Sequence, residues 1–142
     1  ALVALCAGRS AATRSLKIRG VNLGGWLVLE KWIKPSLFAQ WDPFDKAAPK
    51  DEWTYCATLG TPECQRRLEE HWASWVTEDD IVALARAGIT HLRIPVGYWI
   101  DEDVEGDEPY ATGQWFYLRR ACRWAREHRL TVWLHLHPAP GA

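Results

Sequence analysis

Thr77-Glu78-Asp79-Asp80-Ile81-Val82-Ala83-Leu84-Ala85-Arg86-Ala87-Gly88-Ile89-Thr90-His91-Leu92-Arg93-Ile94-Pro95 contains a whole helix-to-strand transition. Thr77 is a capping hydroxyl, and the three acids after it suit the positive end of a helix dipole. Ile81, Leu84 and Ala85 supply one apolar stripe, and Gly88 stands where a helix stops in a left-handed residue. Ile89, Thr90 and Ile94 are β-branched and residues 91–94 alternate polar with apolar, so a strand is predicted over 89–95. Pro95 is expected to end it, because proline has no N–H to give a ladder.

The same grammar extends in both directions. Downstream, Leu118, Ala121, Cys122 and Ala125 fall at helical spacing, and a strand follows over 130–137 before Pro138, Pro140 and Gly141. Upstream, a helix is predicted over 62–75, with Thr61 as its cap and Pro62 at the tolerated first position. A first strand is predicted over 16–23. Residues 31–58 lose periodicity and fill with Pro35, Pro43, Pro49, Trp32, Trp41 and Trp53, which reads as a long excursion ordered by its tryptophans. Strands alternating with helices imply a parallel sheet with helical crossovers, and 89–130 has the length of one βα unit of a barrel. Three strands cannot close a barrel, and an open sheet would leave two apolar edges unpaired. The expectation is the amino-terminal part of a larger α/β domain over 17–142, with 1–16 a disordered terminus or the remnant of a secretory signal.

The 142 residues carry a net charge of -1, which suggests neither nucleic acid nor an anionic membrane as partner. No run approaches the roughly 18 apolar residues that a membrane span needs. Ten tryptophans and no methionine are the anomalies, the latter pointing to a processed chain or a fragment. Cys56 and Cys64 lie eight apart around Gly60 and Pro62, a separation that permits a small closed loop, so a bridge between them is predicted, whereas Cys122 falls on a helix's apolar face.

The chemistry-bearing residues gather after the strands. In Arg19-Gly20-Val21-Asn22-Leu23-Gly24-Gly25-Trp26-Leu27-Val28-Leu29-Glu30, two glycines break an apolar run and deliver a lone carboxylate, either a functional group or a surface residue. Alternation puts His91 and Arg93 on one face of the second strand, and Thr131, Trp133, His135 and His137 on one face of the third. Asn22, Arg93 and His137 then arrive near three carboxyl ends, where barrels place their sites. His135-x-His137 is a structural pair or two ligands of a metal-dependent hydrolase, for which no further ligand can be named. Trp72, Trp75, Trp124 and Trp133 are expected to fill core contacts. Trp26, Trp32, Trp41, Trp53 and Trp99 lie in or beside strand-end loops, where flat rings could stack on sugars. Residues 101–109 are acidic and read as a solvated loop.

With those residues placed, the sequence resembles glycoside hydrolase family 5, specifically the exo-β-1,3-glucanases (glucan 1,3-β-glucosidases). The resemblance rests on residues 19–30 running into Pro35-Ser36-Leu37-Phe38, on residues 71–80, on Arg93-Ile94-Pro95-Val96-Gly97-Tyr98-Trp99 and on residues 133–141. It implies a TIM (β/α)8 barrel, of which only the first three βα units are present, and hydrolysis of β-1,3-glucan with retention of configuration. It also implies that Glu30 binds substrate hydroxyls, that Arg93 supports the catalytic carboxylates, and that Trp32, Tyr98, Trp99, His137 and Asn22 join them in the sugar pocket. Lys31, His135 and Pro138 stand where the family usually has proline, aspartate and glycine.

Retaining hydrolysis needs two carboxylates about 5 Å apart across the scissile bond. In the family these are glutamates on later strands, the first in an Asn-Glu-Pro motif, and no Asn-Glu pair occurs here. The resemblance therefore predicts no catalytic residue in this chain, no metal, no cofactor, and no turnover by the fragment alone. Its parent is expected to be a secreted or wall-associated enzyme, monomeric when complete, with β-1,3-glucan as partner. A non-catalytic glucan-binding module that uses the loop tryptophans is the alternative from another class.

Overall fold

The structure, a computed structural model, describes residues 17–100 and 108–139. Strand β1 (Gly20–Asn22), helices α1 (Glu52–Leu59), α2 (Thr61–Trp75) and α3 (Glu78–Arg86), strand β2 (His91–Val96), helix α4 (Gln114–Glu127) and strand β3 (Thr131–Leu136) follow in that order. Short 3-10 turns occupy Pro35–Phe38 and Tyr98–Ile100. The strands form one parallel sheet in the order β1-β2-β3, with Asn22 beside Arg93 and Arg93 beside Trp133.

Helix α3 starts as its sequence dictates. The Thr77 hydroxyl accepts from the Asp80 amide, and the Asp80 carboxylate accepts from the Thr77 amide, a reciprocal capping box. Its exit is set by Gly88 at φ 83°, where the Ile89 amide reaches back to the Leu84 carbonyl. Helix α4 repeats this exit with Arg129 at φ 60° and the Leu130 amide bonded to the Ala125 carbonyl. Both strands thus leave their helices by the same turn.

Leu92 and Ile94 are fully buried in a core shared with Ile81, Leu68, Leu118, Ala121 and Ala125, so the helices cover one face of the sheet. His91, Arg93, Trp133 and His135 take the other face, as alternation requires. Leu136 has the parity of the covered face yet is 55% exposed.

Four expectations need correction. The first strand is Gly20–Asn22 and not 16–23; residues 1–16 lie outside the described set. Pro95 does not end β2, which continues to Val96. The Leu23 amide bonds the Arg93 carbonyl while the His137 amide bonds the Val96 carbonyl. Odd positions of β2 therefore address β1, which has already stopped by Pro95, and the missing N–H costs no ladder bond. The excursion over 31–58 contains α1, capped by a box between Asp51 and Thr54 and packed through the ring cluster of Phe38, Trp41 and Tyr55. Finally, Gly60 and not Thr61 is the N-cap of α2.

Cys56 and Cys64 are bonded across the α1–α2 joint, with Cα atoms 5.0 Å apart and both side chains fully buried. Cys122 is also in a disulfide. Closing an eight-residue separation removes denatured-state freedom worth about 2.5 kcal/mol. The double substitution C56A/C64A is expected to lower unfolding free energy by that amount in urea titration, and a loss too small to measure would show that the bridge adds nothing.

Candidate functional site

Two carbonyls at the glycine turn are held from outside. The Trp75 indole donates to the Gly24 carbonyl at 3.1 Å, and His71 Nε2 donates to the Gly25 carbonyl at 2.7 Å. The Trp26 indole returns a bond to the Trp72 carbonyl at 2.9 Å. Burial pulls the His71 pKa below the ordinary imidazole value, with the Gly25 hydrogen bond opposing that shift. The last turns of α2 therefore clamp residues 24–26. Trp26 is fully buried by this clamp, so it has no face to offer a sugar, contrary to its grouping with the loop tryptophans.

The clamp delivers Glu30 inward. Its side chain is 8% exposed, which removes the surface reading, and its Oε2 accepts from the Gly25 amide at 2.7 Å. Gly24 packs between this carboxylate and the Asn22 amide: a Cβ there would sit 3.0 Å from Glu30 Oε2 and 3.2 Å from Asn22 Nδ2. Asn22 in turn accepts from Arg93 Nη1 at 2.7 Å. His137 Nε2 stands 3.9 Å from Glu30 Oε1, too far for a hydrogen bond and near enough to face the same ligand.

Glu30, Trp32, Tyr98, Trp99 and His137 line one cleft of about 510 Å³ beyond the carboxyl ends of the strands. Asn22 and Arg93 do not line it; they bond each other, with Asn22 beside Gly24. Trp32 is 74% exposed at the rim, whereas Trp99 is buried with its ring stacked 3.9 Å from Tyr110. The Tyr98 amide bonds the Pro138 carbonyl, which ties the segments after β2 and β3. Trp72 and Trp124 are core residues as expected, but Trp133 is half-exposed on the open face against His91. The His135 and His137 rings are 5.4 Å apart, and among the described residues no three His, Cys, Asp or Glu side chains are placed to hold a metal.

Trp53, one of the loop tryptophans, also lines the cleft. Three wall residues carry no site expectation from the sequence: Tyr110, which meets Trp53 edge to face at 5.4 Å, Glu108, which accepts from the Tyr98 hydroxyl at 2.8 Å, and Glu52. Residues 101–107 of the acidic loop lie outside the described set, but Glu108 is part of the wall and not a solvated charge. Glu52 is 3% exposed and accepts from the Leu29 amide, the Trp99 indole and the Gln114 amide. Burial raises its pKa to about 7 against the lowering effect of those three donors. The signal for Glu52 was present as a cap: Asp51, then Thr54, then Gly60 bracket a helix whose first residue it is.

No family model matches the chain. It is 50% identical over 141 residues to the probable glucan 1,3-beta-glucosidase A of Emericella nidulans, covering 99% of this chain and 33% of that protein. It is 50% identical over 126 residues to the glucan 1,3-beta-glucosidase of Blumeria graminis, covering 89% of this chain and 29% of the other. Among solved structures, it resembles rutinosidase from Aspergillus niger with a TM-score of 0.75 and 34% identity, over 88% of this chain and 34% of that one. The chain thus spans about a third of the length of the relatives it matches. No helix among the described residues is long and apolar enough to cross a membrane.

Proposed function

We propose that residues 17–142 form the first three βα units of a TIM-barrel glycoside hydrolase of family 5, and that the complete enzyme is an exo-β-1,3-glucanase. The observation that carries this reading is the cleft where Glu30 and His137 stand 3.9 Å apart beyond parallel strands, in a chain 50% identical to glucan 1,3-beta-glucosidases. On this reading Glu30 accepts from glucose hydroxyls while His137, 3.9 Å away, binds the same sugar beside it. Trp32 and Tyr98 supply ring surfaces, with Trp99 backing them. Asn22 joins the sugar pocket and is held by Arg93, which supports the catalytic carboxylates. Both carboxylates, the acid/base and the nucleophile, are contributed by strands outside these 142 residues, as retaining hydrolysis requires. The enzyme is secreted or wall-associated and acts as a monomer without cofactor or metal.

The experiment is digestion of laminarin by the complete protein, with the anomer of the first-released glucose followed by NMR. Release of glucose as the β-anomer is expected, and none from the 142-residue chain alone. An α-anomeric product, or no hydrolysis by the complete protein, would overturn the reading.

A further inference from the structure

Glu52 is the most completely engaged buried carboxylate among the described residues, and the proposed sugar contacts do not include it. It sits in the first turn of α1 with its carboxylate bonded to three separate segments. Oε2 accepts from the Leu29 amide at 2.8 Å, and Oε1 accepts from the Trp99 indole at 3.0 Å and from Gln114 at 3.1 Å. No salt bridge to Glu52 is found among the described residues. A carboxylate buried without a counter-charge is costly, and an apolar residue of similar volume would fill the space with no such penalty.

The identity of its donors supplies the reason. Leu29 immediately precedes Glu30, and Trp99 immediately follows Tyr98. One carboxylate therefore spans the segment after β1 and the segment after β2, which form two walls of the cleft. Downstream of Leu29, the Glu30 carbonyl accepts from the Ile33 and Lys34 amides, and this turn sends Trp32 to the rim. Trp99, held through its indole, is the back plate on which Tyr110 stacks at 3.9 Å. Resting on the sugar-pocket reading above, we infer that Glu52 is a positioning residue that sets the spacing between the Glu30 and Tyr98–Trp99 walls, and so the fit of the terminal glucose. It acts through other groups, and its effect belongs in substrate binding more than in bond cleavage.

The geometry makes Glu52→Gln informative. The amide can keep its oxygen on the Leu29 N–H, but its NH2 then opposes the Trp99 indole N–H, while Gln114 can rotate its own amide to accept. Trp99→Phe removes that indole donor and keeps a ring. In the complete enzyme acting on a β-glucoside, E52Q is expected to raise KM about 10-fold with kcat within about 3-fold of wild type. W99F is expected to raise KM comparably, and the double variant no further than the worse single one, because both break one contact. E52D, which keeps the charge, is expected to restore part of the lost affinity.

KM within 2-fold of wild type for E52Q, or effects of the two substitutions that multiply, would overturn the inference and leave the proposed activity standing. If E52Q does not fold, an unchanged KM for W99F overturns it equally. A wild-type protein that neither hydrolyses nor binds laminari-oligosaccharides would overturn the function and the inference together.

Discussion

Gly25→Ala is expected to destabilise the protein by about 3 kcal/mol, combining roughly 1 kcal/mol for a left-handed non-glycine residue with about 2 for overpacking. Gly25 has φ 63°, and a Cβ there would lie 2.7 Å from Ile33 Cγ2 and 2.9 Å from Ile33 Cβ. Ile33 cannot withdraw freely, because its amide is bonded to the Glu30 carbonyl and its other methyl packs at Gly24. The Gly25 peptide also holds the site, with its N–H on Glu30 Oε2 and its carbonyl on His71. Displacing it should turn Glu30 away from the cleft, so affinity for a glucoside falls with stability. Urea titration and equilibrium binding check both, and a variant within 1 kcal/mol of wild type with unchanged affinity would show that Ile33 and the turn relax without cost.

The second large effect is on pH dependence. Glu52 has its pKa raised from 4.5 to about 7, mainly by burial. A raised carboxyl pKa means that the folded state binds the proton more tightly than the unfolded one. Its contribution to stability is fully present below pH 4.5, declines from there, and is gone above about pH 7. The interval corresponds to roughly 3 kcal/mol. His71 acts in the opposite sense: its depressed pKa gives stability that is present above the unfolded imidazole value and lost as pH falls through the folded one. The wild-type profile is therefore a sum of opposing slopes, and E52Q isolates one of them. Between pH 4.5 and 8, wild type is expected to lose roughly 3 kcal/mol relative to E52Q in parallel urea titrations, since glutamine does not titrate. Parallel curves for the two proteins would mean that Glu52 is hydrated well enough to ionise normally.

Helix α3 and its passage into β2 were readable residue by residue. Thr77, Asp80 and Gly88 act on backbone groups within a few positions, so their bonds are already specified by local order. The equivalent exit of α4 carries no glycine, and Arg129 adopts the same left-handed state because the Leu130 amide and β3 pairing impose it. Helix α1 had its signals at Asp51, Thr54 and Gly60, but the prolines and tryptophans around it masked its short period. Pro95 misled for a related reason. A proline's cost depends on whether a neighbouring strand needs its N–H, and the length of β1 decides that.

Glu30, Trp32, Trp99 and His137 stood out by their places after strands and in strand-end loops, while Tyr98 and the sugar-pocket role of the set came from the family resemblance; parallel strands with their carboxyl ends together put all five on one cleft. By itself the sequence determined the order of the strands and of α2, α3 and α4, and the covered and open faces of the sheet, and it pointed to the Cys56–Cys64 pairing. All of these follow from periodicity, caps and short separations, which act between neighbours in the chain. Only the tertiary structure decided that Trp26 is sealed in the core, that Trp99 is a back plate under Tyr110, and that Glu52 joins two walls of the cleft. The donors to Glu52 lie 23, 47 and 62 residues away. No local pattern encodes such a contact, because it exists only after α1, the glycine turn and the segment beyond β2 have packed and excluded water from one carboxylate.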